Sequence, residues 1–254
     1  VRYYAGFSEL LDRPRQRVEP ATAAARLVIV FGDIMTVTSG PRPPQQVGAF
    51  VAGPRGTPAV IGQRGTFRGV EVGLTTAAAT SFLGISLGEL GDSIMPLDEV
   101  IGRRRAAEMH DRLESAAGWD HAFSLLGYYL QPAGDPNLDP KLRWAWKTIE
   151  RAAGQVRIEW IAGEIGWSRR HLAASFRRQF GVTPKLAARL FRFQRATRLL
   201  QARLPPGEVA AACGYFDQAH MNLDFAGFGA HTPGTIAARP NADSLESSWP
   251  PGAV

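Results

Sequence analysis

The stretch from Ile161 to Pro184 recurs in outline roughly 48 residues further along the chain. Ile161-Ala162 returns as Val209-Ala210, and Ile165-Gly166-Trp167 as Cys213-Gly214-Tyr215. Phe176 corresponds to Phe225, Phe180 to Phe228, and Thr183-Pro184 to Thr232-Pro233. The first copy dictates its own local structure. Ile158, Ile161, Ala162 and Ile165 follow the i, i+3, i+4, i+7 spacing of an amphipathic helix. Gly166 ends that helix, because a residue free to take positive φ is needed there. Ser168 stands where an N-cap would start the next helix, which runs to about Phe180. Leu172, Phe176 and Phe180 recur every four residues on its buried side. Pro184 precedes a long helix over about 186–202, and Pro205-Pro206-Gly207 breaks the chain before the pattern returns. This half of the chain reads as helices only.

The charge is as uneven as the pattern. The 254 residues carry 29 Lys+Arg and 23 Asp+Glu, a net of +6. Residues 1–140 hold 13 basic and 15 acidic side chains, whereas residues 141–254 hold 16 and 8. Within 157–203 there are 11 basic residues against two acidic ones, Glu159 and Glu164. A basic half joined to a near-neutral half points to a polyanion-binding module attached to something else. A solvated, arginine-rich helical surface would give the same charge balance.

An apolar helix, a glycine turn and a second helix with a polar outer face is the layout of a helix-turn-helix. The first helix packs across the second and fixes its angle. The second lays its outward side chains in a major groove about 12 Å wide. Two such units on one chain would read adjacent grooves without a dimer. Ile161-Ala162, Gly166, Ser168-Arg169-Arg170-His171-Leu172, Phe176-Arg177-Arg178 and Phe180-Gly181-Val182-Thr183-Pro184 resemble the first DNA-binding half of the AraC/XylS transcription regulators. Val209-Ala210, Gly214-Tyr215, Gln218-Ala219-His220, Phe225 and Thr232-Pro233 resemble the second half. The resemblance covers about residues 141–240. It implies that Arg170 contacts bases, where its guanidinium can hold guanine O6 and N7. It places Ala173 and Ala174 at further base-reading positions, where they could touch only thymine methyls. Ser168, Arg169, Arg177 and Arg178 complete the DNA-facing set of the first unit, the arginines cast as phosphate contacts that set affinity rather than sequence. His171 is expected on the helix-packing side. In the second unit Gln218, His220 and Asn222 are the polar DNA-facing candidates. Leu223 stands where the resembled family has arginine, Ala226-Gly227 replaces a basic pair, and Asp224 adds a negative charge to that helix.

The first half reads differently. Leu27–Phe31 and Ile34–Thr38 are short β-branched runs, and Gly32-Asp33 between them predicts a hairpin. Ser39–Pro44 is a loop. Residues 47–52, 59–61 and 67–74 are further strands, the last with the alternation of a half-buried strand. Helices are predicted over about 75–83, 103–117 and 119–130. Three prolines within 131–140 mark a linker, and residues 241–254 read as a disordered tail. The expected fold is an α+β N-terminal domain, a small antiparallel β-barrel or sandwich with helices, plus an all-α C-terminal domain with two helix-turn-helix units. The N-terminal part resembles the cupin-like sensor domains joined to such regulators.

The remaining residues exclude more than they suggest. One cysteine, Cys213, rules out an intrachain disulfide framework and is expected to be a buried structural residue. The predicted strands carry no histidine, so no metal site is expected in the barrel. No catalytic constellation and no cofactor motif is found. Trp144, Trp146, Trp160 and Trp167 are expected to serve packing. The longest apolar runs fall short of the roughly 20 residues that span a bilayer, and the N-terminus lacks a signal pattern, so no membrane partner and a cytoplasmic location are expected. These readings converge on a sequence-specific DNA-binding regulator, not an enzyme. Residues 1–130 would sense a ligand or self-associate, and residues 141–240 would bind double-stranded DNA. A small-molecule effector, a homodimer and, for an activator, RNA polymerase are the further partners. The alternative is a degenerate regulator whose barrel binds a small molecule or a protein.

Overall fold

The computed structural model describes residues 1–40, 42–130, 138–229 and 231–238. The predicted linker falls mainly on residues outside these, as does the predicted tail. The N-terminal sheet comprises β1 (Tyr3–Glu19), β2 (Ala25–Gly32), β3 (Met35–Ser39), β4 (Gln45–Val47), β5 (Ala49–Ala52), β6 (Ala59–Leu74) and β7 (Ile94–Pro96), all paired antiparallel. The long β6 is its centre. On one side it pairs with β1 from Tyr3↔Gly73 to Glu19↔Ala59. On the other it pairs first with β2 and then, further along, with β3.

That arrangement corrects the hairpin expected at Gly32-Asp33. β2 and β3 do not pair with each other; they form one bent strand lying along β6. Gly32 takes φ +95, which L side chains avoid. The Asp33 amide donates to the Thr66 carbonyl at 3.1 Å, and Asp33 Oδ2 accepts from the Thr66 amide at 2.8 Å. The break is therefore fastened sideways to β6 instead of folding back. β4 and β5 repeat the device one strand further out, on β3 and β2. The sheet curls into a nearly closed barrel. Val28, Val30, Met35, Val37, Phe50, Ile61 and Phe67 form one buried cluster on its inner face. The alternate residues Leu27, Ile29, Phe31, Val70 and Val72 pack with Met109, Leu113 and Leu126 of the covering helices. These helices are α1 (Thr76–Leu83), α2 (Leu87–Leu90), α3 (Leu97–Ile101), α4 (Arg103–Glu114) and α5 (Trp119–Tyr129).

The C-terminal part is all helix: α6 (Pro140–Arg151), α7 (Ile158–Glu164), α8 (Arg169–Phe180), α9 (Pro184–Gln201), α10 (Pro206–Ala212), α11 (Gln218–Gly227) and α12 (Pro233–Ala238). Its core is aromatic at two points. Trp146 of α6 meets Phe176, Phe180 and Phe191, with ring centroids 5.6, 4.6 and 5.6 Å away. Phe193 of α9 meets Phe225 at 4.7 Å and Phe228 at 5.2 Å. Each recurring unit thus has its own aromatic anchor. The other tryptophans depart from the packing expected of all four. Trp144 and Trp160 are exposed, their rings 5.9 Å apart. Trp167 is half-buried, with Lys141 Nζ 5.5 Å above its ring.

Barrel and helices touch directly. Ala21 and Ala23, between β1 and β2, belong to the helical core, and the Ala21 amide donates to the Phe228 carbonyl at 3.0 Å. Arg2 pairs with Glu150 of α6. Ser86 Oγ, capping α2, donates to the Arg178 carbonyl at 3.1 Å. Arg55 is buried beside this junction and reaches the Pro20 carbonyl at 3.2 Å. Burial lowers its pKa to about 10 and Arg26 adds to the effect, while Glu19, Glu71 and Asp92 oppose it.

Candidate nucleic-acid interface

The first unit is built as its residues dictate. Ile161 and Ala162 of α7 are buried against the core, as is Ile165. Gly166 takes φ +69, and the Trp167 amide donates to the Ala162 carbonyl at 2.9 Å, closing the turn. Ser168 is extended, and its side chain accepts from the His171 amide at 3.1 Å, capping α8. Leu172, Phe176 and Phe180 are fully buried. Gly181 ends the helix in the left-handed region at φ +80.

The second unit repeats the geometry hydrogen bond for hydrogen bond. Val209 and Ala210 are buried, Gly214 again takes φ +69, and the Tyr215 amide donates to the Ala210 carbonyl at 3.0 Å. Asp217 replaces Ser168 as the cap and accepts from the His220 amide at 2.7 Å. Phe216 is an extra residue in this turn, so the register between copies grows from 48 to 49. Met221, Asp224 and Phe225 then occupy the buried positions of Leu172, Ser175 and Phe176.

The outward faces differ in kind. On α8, Arg169, Arg170, Ala174, Arg177 and Arg178 are exposed together, with Ala173 half-buried beside them. The contact with α2 runs through the Arg177 and Arg178 backbone, and the Arg178 guanidinium reaches Ser175 Oγ of its own helix at 3.5 Å. Arg169 Nη1 lies 3.0 Å from Glu159 Oε1. On α11, Gln218, His220 and Asn222 are exposed, as are Ala219, Leu223 and Ala226. The repeat register aligns Gln218 with Arg169, Ala219 with Arg170, Asn222 with Ala173 and Leu223 with Ala174.

Two side chains, Asp224 and His171, sit elsewhere than their sequence context suggests. Asp224 is buried, not an exposed negative charge; Arg189 of α9 holds its Oδ1 at 2.6 and 3.0 Å. His171, expected on the packing side, is exposed and lies edge-on to Trp167 with centroids 4.4 Å apart. His220 is its counterpart: its Nδ1 accepts from the Phe216 amide at 3.4 Å and its ring lies edge-on to Tyr215. His220 thus braces the turn as well as facing solvent. Cys213 is fully buried, and burial pushes its thiol up. Burial and the Asp224 carboxylate push the Tyr215 hydroxyl well above the phenol range. Among the described residues no group of three His, Cys, Asp or Glu side chains could hold a metal ion. No described helix is long and apolar enough to cross a membrane.

Two capped helix-turn-helix units, joined by one long helix and carrying an arginine face, define a DNA-binding module. Residues 161–239 match the family described as Helix-turn-helix domain, and this part of the chain is a helix-turn-helix domain of the AraC type. The uncharacterized HTH-type transcriptional regulator YbfI of Bacillus subtilis is 35% identical over 72 residues, which are 28% of this chain and 26% of that protein. The chain thus spans about a quarter of that relative's length. ToxT from Vibrio cholerae shares the fold at 8% identity, with a TM-score of 0.53 over 92% of this chain and 97% of that one. ToxT with an unsaturated fatty acid bound gives 0.50 at 9% identity, over 92% and 94% of the two chains. The likeness extends through both the barrel and the helical part.

Proposed function

We propose that the chain is a sequence-specific DNA-binding regulator of transcription in which the first helix-turn-helix dominates. The observation that carries this is the outward, capped presentation of Arg169, Arg170, Arg177 and Arg178 on α8. Arg170 reads a base edge, the other three hold phosphates, and Ser168, Ala173 and Ala174 lie against the groove. Gln218, His220 and Asn222 form the polar part of the second contact. Residues 1–130 act as the regulatory domain, 131–140 as its connection, and 141–240 as the DNA-binding domain. The chain works in the cytoplasm as a binding protein, without catalysis.

The barrel modulates DNA occupancy in response to a small-molecule effector. Two things support this: ToxT, of the same fold, has been crystallised with a fatty acid, and here the barrel touches the end of α8 through Ser86. A fluorescence titration of duplex DNA at several salt concentrations tests the reading. Releasing counterions from about three phosphates gives a log–log salt slope of roughly −3. A flat salt response overturns the proposal.

A further inference from the structure

Phe216, Leu10 and Leu223 are the most exposed large apolar side chains among the described residues, at 93%, 73% and 72%. Two of the three lie on the second helix-turn-helix. Scattered exposed apolar residues need no explanation, but the position of Leu223 is not arbitrary. The repeat register puts it where Ala174 stands on α8, at the middle of the outward face. It follows Ala219 by four residues and precedes Ala226 by three, so the three share one side of α11. Asn222 is exposed beside it, in the place of Ala173. The α11 positions aligned with Arg169, Arg170, Arg177 and Arg178 hold Gln218, Ala219, Ala226 and Gly227. The acidic side chain of the helix, Asp224, is turned inward onto Arg189. What faces out of α11 is therefore free of arginine and lysine: two amides, the His220 imidazole, a branched aliphatic chain and small residues, with the Phe216 ring and the Asp217 cap ahead of them.

We infer that the second unit is an A·T-selective reader, with Asn222 and Leu223 as its specificity-determining residues. The inference rests on the DNA-binding reading above. An asparagine carboxamide matches adenine at N6 and N7, and an aliphatic chain matches the C5-methyl of thymine. The two side chains together recognise the two partners of an A·T pair, or of adjacent pairs. A leucine cannot donate to guanine, and a guanine·cytosine pair offers it no methyl. The first unit, led by Arg170, has the opposite chemistry and favours guanine. The preferred site is accordingly asymmetric: a guanine-containing half under α8 and an A/T half under α11, in adjacent major grooves.

Selection of bound duplexes from a random-sequence pool, using the full chain, tests this. The expected motif has those two unlike halves. Leu223→Ala and Asn222→Ala should flatten the A/T half and leave the guanine-containing half intact. In the selected duplex, replacing the contacted thymine by deoxyuracil removes only the methyl. Wild-type affinity should fall about fourfold, the loss for one buried methyl, while Leu223→Ser should bind the two duplexes equally. A motif with one half only, or an A/T half indifferent to both variants and to deoxyuracil, overturns the inference while the regulator reading stands; Leu223 would then face a protein. No enriched duplex at all overturns the DNA-binding reading and this inference with it.

Discussion

The two helix-turn-helix units share one backbone geometry and differ in what they turn outward. Gly166 and Gly214 turn at the same φ, and Trp167 and Tyr215 close the turn on equivalent carbonyls. What separates the units is which way their charges point. The first sends its arginines out, toward a polyanion. The second keeps an ion pair inside, where Asp224 ties α11 to α9 through Arg189. Charge turned outward supplies affinity that salt can screen, whereas charge turned inward supplies position. A double reader needs both, because an unanchored second helix would contribute little after the first has docked.

The sharpest way to break this comparison is to remove the inner anchor. Arg189→Ala leaves the buried Asp224 carboxylate without its partner and strips a cation from above the Phe228 ring, 5.0 Å away. The expected cost is about 2–4 kcal/mol of stability, less than for a fully buried pair because the Arg189 side chain is 42% exposed. Asp224→Asn should cost less, since the half-exposed guanidinium left behind is hydrated. Thermal melts of both variants check the order; the reverse order would mean that Asp224 is held by the backbone and not by Arg189.

The outer charges come next. Arg170→Ala should weaken specific binding by about 1–3 kcal/mol, the worth of one bidentate base contact. Gln218→Ala should change it little. A gel-shift comparison at a single salt concentration reads both, and equal losses would abolish the proposed dominance of the first unit.

The junction between barrel and α8 bears on the comparison too, because α2 touches the first unit at Arg178. Gly88 has no side chain at this crossing, and a Cβ placed there would lie 1.9 Å from the Arg178 carbonyl oxygen. Gly88→Ala must therefore push α2 away from α8, at a cost of about 1–3 kcal/mol for overpacking. Its signature should be uneven: altered affinity for the guanine-containing half and an unchanged A/T half. Equal effects on both halves would show that the helical part responds to the barrel as one body.

The residues that made the C-terminal part legible are those whose effect is local. A glycine at the turn, a serine cap and aromatics every four residues act within one or two turns of helix, so spacing alone reveals them. Apart from His171, which lies edge-on to Trp167 four residues away, the failures are long-range. The Gly32-Asp33 sequence suits a hairpin, but Thr66, far away in sequence, offers its backbone and straightens the chain along β6. The strand β1 has no clear signature in the sequence because its second half is charged and exposed, with a register shift between Leu11 and Arg15 that spoils the alternation. Asp224 looked like a surface charge because the arginine that buries it lies on another helix. The exposed Trp144–Trp160 pair shows the converse, two large aromatics that no described element covers. Side-chain identity gave the candidate interface its first unit and put Leu223 at an arginine position of the second; the structure adds that this side chain is exposed.

The smallest expected effect concerns the one acid that faces the arginine row. Glu159 pairs with Arg169, and its carboxyl is held below the usual range by its own backbone amide first and by Arg169 next. A depressed carboxylate pKa means that the pair is present above the ordinary carboxylate range and lost only as pH falls through the lowered value. Between pH 5 and 8 the pair is therefore constant, and DNA affinity should show no pH step from this source. Both partners are largely exposed, so the competition with phosphate is weak. Glu159→Gln should release Arg169 and raise affinity about twofold at low salt, with the gain vanishing as salt rises. A fall in affinity would reverse the role assigned to the pair: Glu159 would then aim Arg169 at its phosphate, and the first unit, like the second, would depend on an acid for its geometry.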